Sequence, residues 1–210
     1  MNKKEILSFF ETLSTLNPNP KGELNYTNPY TLLVAVILSA QSTDLGVNKA
    51  THSLFKDIKT PEDMVLLGEE SLQNHIKTIG LYKTKAKNIL KASQRLIDFF
   101  NSAVPSEKKD LESLPGVGPK TANVVLNIAF NAEAFPVDTH VFRVCNRTGL
   151  SKGKTPQSVE ALLEKKVPSP YRKNAHHWLI LHGRYICKAR TPLCEMCPVS
   201  SVCDYFKRRL

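Results

Sequence analysis

The stretch Leu111-Glu-Ser-Leu-Pro-Gly-Val-Gly-Pro-Lys-Thr-Ala-Asn123 decides how this chain folds. Leu111 and Leu114 end one short helix. Pro115 to Pro119 must turn, and Lys120 opens a second helix carrying Ala122, Val125, Leu126 and Ala129 at helical spacing. Gly116 and Gly118 permit backbone geometry that other residues resist, and they let an anion come close to the chain. The backbone N–H groups of Gly116, Val117 and Gly118 can point one way, and the following helix N-terminus adds a favourable dipole. The element reads as a helix–hairpin–helix phosphate clamp that holds DNA backbone without reading base sequence. A plain turn between helices is the alternative.

Outward from this hairpin the patterns stay helical. Ile6, Phe9, Phe10, Leu13 and Leu16 share a helical face, and Asn17-Pro-Asn-Pro20 ends it. The apolar run Thr31–Leu38 suits a buried helix with Thr31 as its N-cap. Another helix is expected from Gly46 to Phe55. Thr60-Pro-Glu-Asp63 reads as a cap with proline at the first helical position. Thr78–Tyr82 reads as a loop, followed by a long basic amphipathic helix with Ala86, Ile89, Leu90, Leu96, Ile97 and Phe100 on its apolar face. Asp138 caps a helix through Val141, Val144 and Cys145. Thr155 caps a further helix reaching Val167, and a last long one runs from about Tyr171 to Ile186. Few segments alternate strictly, so the fold class is all-α.

The 210 residues suffice for one large domain or two small ones. No apolar run is long enough to cross a bilayer, and no apolar segment of signal-peptide type follows the N-terminal lysines, so the expected location is cytoplasmic. With 29 Lys and Arg against 19 Asp and Glu, the net charge is +10. Such a charge suits nucleic acid, anionic lipid or solubility alone.

Of the five cysteines, four form the series Cys187-x6-Cys194-x2-Cys197-x5-Cys203. Four thiolates suit a tetrahedral zinc or a cubane iron–sulfur cluster. The spacing leaves both open, because only one short Cys-x-x-Cys pair is present. Lys188, Arg190, Glu195 and Asp204 leave little core for reduced, buried cysteines. Cys145 lies on an apolar helical face and reads as a small core residue. A lysine at a helix N-terminus is disfavoured by the dipole. That field, with any burial, makes an amine easier to deprotonate, and a neutral amine forms Schiff bases. Lys120 stands at such a place and is expected to be partly buried, though by itself it reads as a solvent-facing lysine that contacts phosphate. Asp138 by itself reads as a cap; near a nucleophile it would stabilise cationic sugar character or act as a base.

The segments Leu114–Val125, Val137–Arg147 and the cysteine series together resemble endonuclease III. So do Leu38-Ser-Ala-Gln-Ser-Thr-Asp44, Ile76–Tyr82 and His176-His-Trp-Leu-Ile-Leu-His-Gly-Arg184. The resemblance runs nearly end to end. It implies a two-domain helix–hairpin–helix glycosylase fold: a six-helix domain over 21–132, and a second domain of 1–20 and 133–210 with a C-terminal loop holding a [4Fe–4S] cluster. Cys187, Cys194, Cys197 and Cys203 would be its ligands. Lys120 corresponds to the family's nucleophile and Asp138 to its catalytic aspartate. Gln41 and Leu81 match positions that fill the hole left by an extruded nucleotide, Leu81 as an apolar wedge and Gln41 as an amide facing the widowed base. Lys188 and Arg190 would lie in a basic loop against phosphates. Pro119 departs from the pattern, standing where many members carry a basic residue.

The activity so implied is base excision repair. Damaged or oxidised pyrimidines are flipped out of duplex DNA and excised, and the abasic strand is cleaved by β-elimination through a lysine Schiff base. The expected partner is double-stranded DNA with damaged pyrimidines or abasic sites, met by a monomer, with no membrane; in a bacterium the protein would associate with the nucleoid. The related adenine-mismatch glycosylases lack a lysine at the Lys120 position. A non-catalytic DNA-binding module with structural zinc is the rival of another class.

Overall fold

The computed structural model describes residues 1–208, and every regular element among them is helical. In chain order these are α1 (Lys3–Leu16), α2 (Pro29–Ser39), α3 (Asp44–Asp57), α4 (Pro61–Leu67), α5 (Glu69–Ile76), α6 (Tyr82–Phe100), α7 (Lys108–Glu112), α8 (Pro119–Phe130), α9 (Thr139–Thr148), α10 (Pro156–Lys166), α11 (Arg172–Tyr185) and α12 (Asp204–Lys207). Short 3-10 turns occupy Ser169–Tyr171, Cys194–Met196 and Ser200–Val202. No described helix is long and apolar enough to cross a membrane.

The chain divides into two compact units, Glu23–Asn131 and the pair of segments Met1–Gly22 and Ala132–Leu210. In the first unit, α2 is apolar on all sides. Leu32, Leu33, Val34, Ala35, Val36, Ile37 and Leu38 are all buried, as a helix surrounded by others requires. It packs on α3, α6 and α8. Thr31 is not its N-cap. Asn28 takes that place, accepting from the Thr31 N–H at 2.9 Å, while the Thr31 hydroxyl accepts from the Asn28 N–H at 3.0 Å. Thr31 therefore closes a reciprocal capping box one turn inside the helix. Pro29 at the first position, with its φ preset, fixes that register. Seven helices build this unit rather than the six implied by resemblance. Gly68, at φ +79°, separates α4 from α5. In α6, Ala86, Ile89, Ala92 and Leu96 are buried, and Leu90, Ile97 and Phe100 are half-buried.

The hairpin between α7 and α8 is built by local hydrogen bonds. The Leu114 N–H donates to Leu111 O and the Val117 N–H to Leu114 O, both at 3.0 Å. Gly116 has φ +84°, the left-handed geometry that closes the turn. Gly118 does not need to be glycine for the same reason. Its φ of −95° and ψ of 178° are ordinary extended values. A Cβ added there would meet no heavy atom within 4 Å, whereas one at Gly116 would approach Asn88 Cβ to 3.1 Å and Ile37 Cγ2 to 3.4 Å.

In the second unit α9 and α11 pack together, with α1, α10 and α12 against them. Phe9, Phe10, Phe135, Val144, Leu163 and Leu179 form the centre of its core. Cys145 is buried in the same core, as its apolar face suggests, and burial pushes its thiol pKa well up. Thr155 caps α10 with Pro156 at its first position, and Asp138 caps α9.

The hairpin geometry separates the two glycines. Gly116→Ala is expected to lower unfolding free energy by ~1–2 kcal/mol from the left-handed backbone alone. Gly118→Ala is expected to leave it unchanged or raise it by up to ~1 kcal/mol, since alanine narrows the unfolded ensemble. Urea unfolding of the two variants measures both; equal losses would contradict the extended geometry at Gly118.

Candidate functional site

In the unit Glu23–Asn131, the residues singled out from the sequence lie at helix ends. Lys120 occupies the first turn of α8, one position after Pro119, and is exposed. The partial burial expected of it is not found. What the fold supplies at Lys120 is the field of the helix N-terminus, because Gly118 is the N-cap and offers no side chain to the first-turn amides. The three-amide clamp also needs correction. Val117 is buried, and its N–H is committed to Leu114 O. Gly116 and Gly118 are exposed, so their amides and those of the first α8 turn are the groups open to an anion.

Gln41 and Leu81 are both exposed, and both adopt left-handed backbone, with φ of 55° and 59°. Leu81 is the N-cap of α6 and is 62% exposed. An exposed leucine in a conformation that costs about 1–2 kcal/mol is held there by its surroundings. Nothing in sequence periodicity announces this. Lys85, four residues on, was not singled out either. It is only 6% exposed, and its ammonium donates to Leu38 O at 2.8 Å, Ala40 O at 2.6 Å and Ser42 Oγ at 3.0 Å. Burial lowers its pKa. The available signal was its register: positions 85, 89, 92 and 96 of α6 form one buried stripe, with lysine as its only charged member.

In the other unit, Asp138 is half-buried, and its Oδ1 accepts from the Val141 N–H at 2.8 Å. That bond uses one carboxylate oxygen. One helical face beyond it, Arg143 and Arg147 stand four residues apart, a spacing that aligns them. Arg143 Nε donates to Cys187 O at 2.9 Å and its Nη2 to Gly183 O at 2.7 Å. Arg147 donates to Lys188 O and Ala189 O, both at 2.6 Å, and lies 5.3 Å over the Tyr205 ring. The two arginines clasp the start of the cysteine loop to α9. Lys188 and Arg190 project from that loop and are exposed.

Cys187, Cys194, Cys197 and Cys203 line one pocket, closed by Ile186, Pro192, Leu193 and Phe206. A single zinc would need its ligands ~2.3 Å from one point. Among the described residues no three such side chains converge on a single-ion site. Four thiols around an apolar hollow instead suit a larger group with several metal atoms. Burial first, then the neighbouring thiolates, push the Cys197 thiol pKa up to about 11. Such sulfurs become thiolates readily only beside cationic metal. His182 is buried, with its pKa pushed down to about 4, and its Nε2 lies 3.7 Å from Cys197 Sγ. A neutral imidazole there can donate to a ligating sulfur.

Comparison with known proteins agrees with this geometry. Residues 34–169 match the HhH-GPD superfamily base excision DNA repair protein, and residues 187–203 match the iron-sulfur binding domain of endonuclease III. The chain is 55% identical to endonuclease III of Rickettsia conorii over 206 residues, covering 98% of each. It is 51% identical to that of Escherichia coli K12, covering 98% of this chain and 97% of the relative. A solved structure of a trapped endonuclease III–DNA covalent intermediate superposes with a TM-score of 0.91 at 42% identity, over 100% of this chain and 99% of that one. A thermostable thymine-DNA glycosylase superposes at 0.87 with 27% identity, over 98% of both chains. The chain belongs to the endonuclease III family of HhH-GPD base excision DNA repair proteins, and it is a DNA glycosylase and abasic-site lyase carrying a [4Fe–4S] cluster.

Proposed function

We propose that the chain removes oxidised or otherwise damaged pyrimidines from duplex DNA, and cleaves the resulting abasic strand through a Schiff base on Lys120. The observation that carries this reading is Lys120 itself: an exposed amine on an uncapped helix N-terminus, directly after the Gly116 turn. An anionic DNA strand is attracted to that end, which brings sugar carbons to the amine. The trapped DNA complex of a 42% identical endonuclease III supports covalent chemistry of this kind.

In this reading the neutral Lys120 Nζ attacks C1′ of the extruded nucleotide. The bond from C1′ to the base breaks, and the base leaves with its electron pair and gains a proton. Opening of the sugar gives an imine between C1′ and Nζ. The imine withdraws electrons, so a proton leaves C2′ and the C3′–O bond breaks, releasing the 3′ phosphate. Asp138 has one carboxylate oxygen tied to the Val141 N–H; the other would stabilise positive sugar character or take a proton. Gln41 and Leu81 would fill the vacated stack, lowering the cost of extrusion. The Gly116 and Gly118 amides, with Lys188 and Arg190, would hold phosphates. The cluster, when bound, cross-links the loop; Arg143 and Arg147 orient that loop through its carbonyls. The partner is double-stranded DNA bound by a monomer, and the bacterial relatives support action on a nucleoid in the cytoplasm.

Borohydride reduction of the imine should join the protein covalently to DNA containing an abasic site. Lys120→Gln is expected to abolish both this adduct and strand cleavage, with DNA affinity falling by less than about tenfold, because the hairpin amides remain. Continued trapping by Lys120→Gln would move the nucleophile elsewhere.

Asparagine caps helices about as well as aspartate. Asp138→Asn should therefore keep its thermal midpoint while losing about a hundredfold or more in single-turnover rate, a loss in the range of acid–base contributions. Full activity in Asp138→Asn would reduce the residue to a cap.

The clamp is tested separately. Gly118→Ala places a methyl group on the exposed hairpin and should weaken lesion-containing and undamaged DNA by similar factors. Filter or anisotropy titrations at several salt concentrations read this, and a loss confined to lesion DNA would place Gly118 at the base instead.

A further inference from the structure

We infer that Lys85 is a positioning residue for nucleotide extrusion: one buried ammonium ties the loop of Gln41 to the helix end of Leu81, so that both side chains enter the duplex as a unit. The inference rests on the void-filling reading of Gln41 and Leu81. It adds the residue that makes two separate left-handed residues a single tool.

The geometry is specific. The Lys85 backbone N–H donates to Leu81 O at 3.0 Å, anchoring the wedge residue to the first turn of α6. Its side chain crosses to the last turn of α2 and the α2–α3 connection, where Leu38 O, then Ala40 O and Ser42 Oγ, receive its ammonium. These acceptors bracket Gln41 on both sides. A lysine ammonium has three donors and here meets three acceptors. Helix α2 has no basic residue in its own last turn, and its C-terminal carbonyls need donors. Lys85 provides them from another helix and places positive charge on the negative end of the α2 dipole. The Gln41 loop also passes close to the turn before Leu81, since a Cβ at Gly80 would lie 3.9 Å from Gln41 O.

A lysine serving only core stability could satisfy its donors anywhere. Two of these acceptors are the carbonyls immediately before the Gln41 loop and next to Gln41 itself, and the third is the hydroxyl just after it. A left-handed leucine and glutamine do not hold their backbones by intrinsic preference. Without the ammonium, the Gln41 loop loses the side-chain tie that Lys85 makes to it from α6, and the spacing between wedge and amide is free to drift.

The test uses the holoenzyme and a duplex with a thymine glycol opposite adenine and 2-aminopurine beside the lesion. Stopped-flow fluorescence reads extrusion. A second substrate, with a preformed abasic site in an unpaired bulge, reads cleavage after extrusion is no longer required. Lys85→Met is expected to slow the fluorescence step about tenfold or more, as loss of charged hydrogen bonds implies, and to change bulge cleavage less than about twofold. Lys85→Met combined with Leu81→Ala should extrude no more slowly than Leu81→Ala alone, because both act on one device. Multiplied losses in the double variant, or equal slowing on both substrates, would overturn the inference. If Leu81→Ala slows extrusion and Lys85→Met does not, this inference fails alone; if Leu81→Ala leaves extrusion unchanged, the void-filling reading fails and takes the inference with it. Should Lys85→Met not fold, Ser42→Ala removes one acceptor with little disturbance. It should slow extrusion about two- to threefold on the paired substrate only, and an unchanged rate would overturn the proposal.

Discussion

The left-handed backbone at Gly116 sets the direction of α8. With φ at +84°, the chain reverses within the few residues after Leu114, and the Val117 N–H closes onto Leu114 O. Any residue with a Cβ would meet Asn88 and Ile37 as well as an unfavourable dihedral. Because the turn is tight, α8 begins at Pro119, and its uncapped amides and Lys120 come to the surface together. A helix end without a side-chain cap is costly in isolation. It is also a ready anion site. The hairpin thus leaves unsatisfied the groups that a phosphate can satisfy.

Much of this was legible in the sequence, and the parts that were not have definite physical reasons. The all-α class follows from repeated helical spacing and from caps such as Asp138 and Thr155, which the structure places as N-caps. The Asn28–Thr31 box shows where such reading slips. Both residues are capping types three apart, and only the preset φ of Pro29 tells which is outside the helix. Gly68 was missed as a break because a single glycine inside a helical pattern is often tolerated. The committed Val117 amide and the exposed Lys120 depend on how the turn winds, which residue identity alone does not fix. The left-handed backbone at Gln41 and Leu81 is invisible for the same reason: neither type favours it, so tertiary surroundings impose it.

The cysteine loop obeys a similar division. Four thiols at that spacing announce a metal centre, yet spacing alone leaves zinc and iron–sulfur equal. The match of residues 187–203 to the iron-sulfur binding domain of endonuclease III decides for the cluster, and the thiols line one hollow with Ile186, Leu193 and Phe206. Arg143 and Arg147 add what the cysteines cannot. By donating to the carbonyls of Gly183, Cys187, Lys188 and Ala189, they fix the backbone that carries Lys188 and Arg190. Planar guanidinium groups suit this task because each spans two carbonyls at once. Asp138 and both arginines lie on α9, so one helix carries the cap carboxylate at its start and the loop anchors along its length.

Lys85 and Lys120 show how one residue type takes opposite roles through its position on a helix. Lys85 lies on the buried stripe of α6, beside the C-terminal carbonyls of α2, where a cation is favoured and all three of its donors are occupied. Lys120 lies at an N-terminus, where a cation is disfavoured, and it is exposed. The first is a charge the fold consumes; the second is a charge the fold resists. A lysine at a favourable dipole end with all three donors occupied serves as structure. A lysine at an unfavourable end gains by meeting an anion, which draws it toward a DNA strand. Composition counts these two residues alike among 29 cations. Only the fold, by choosing the helix end, sets the buried lysine apart from the exposed one.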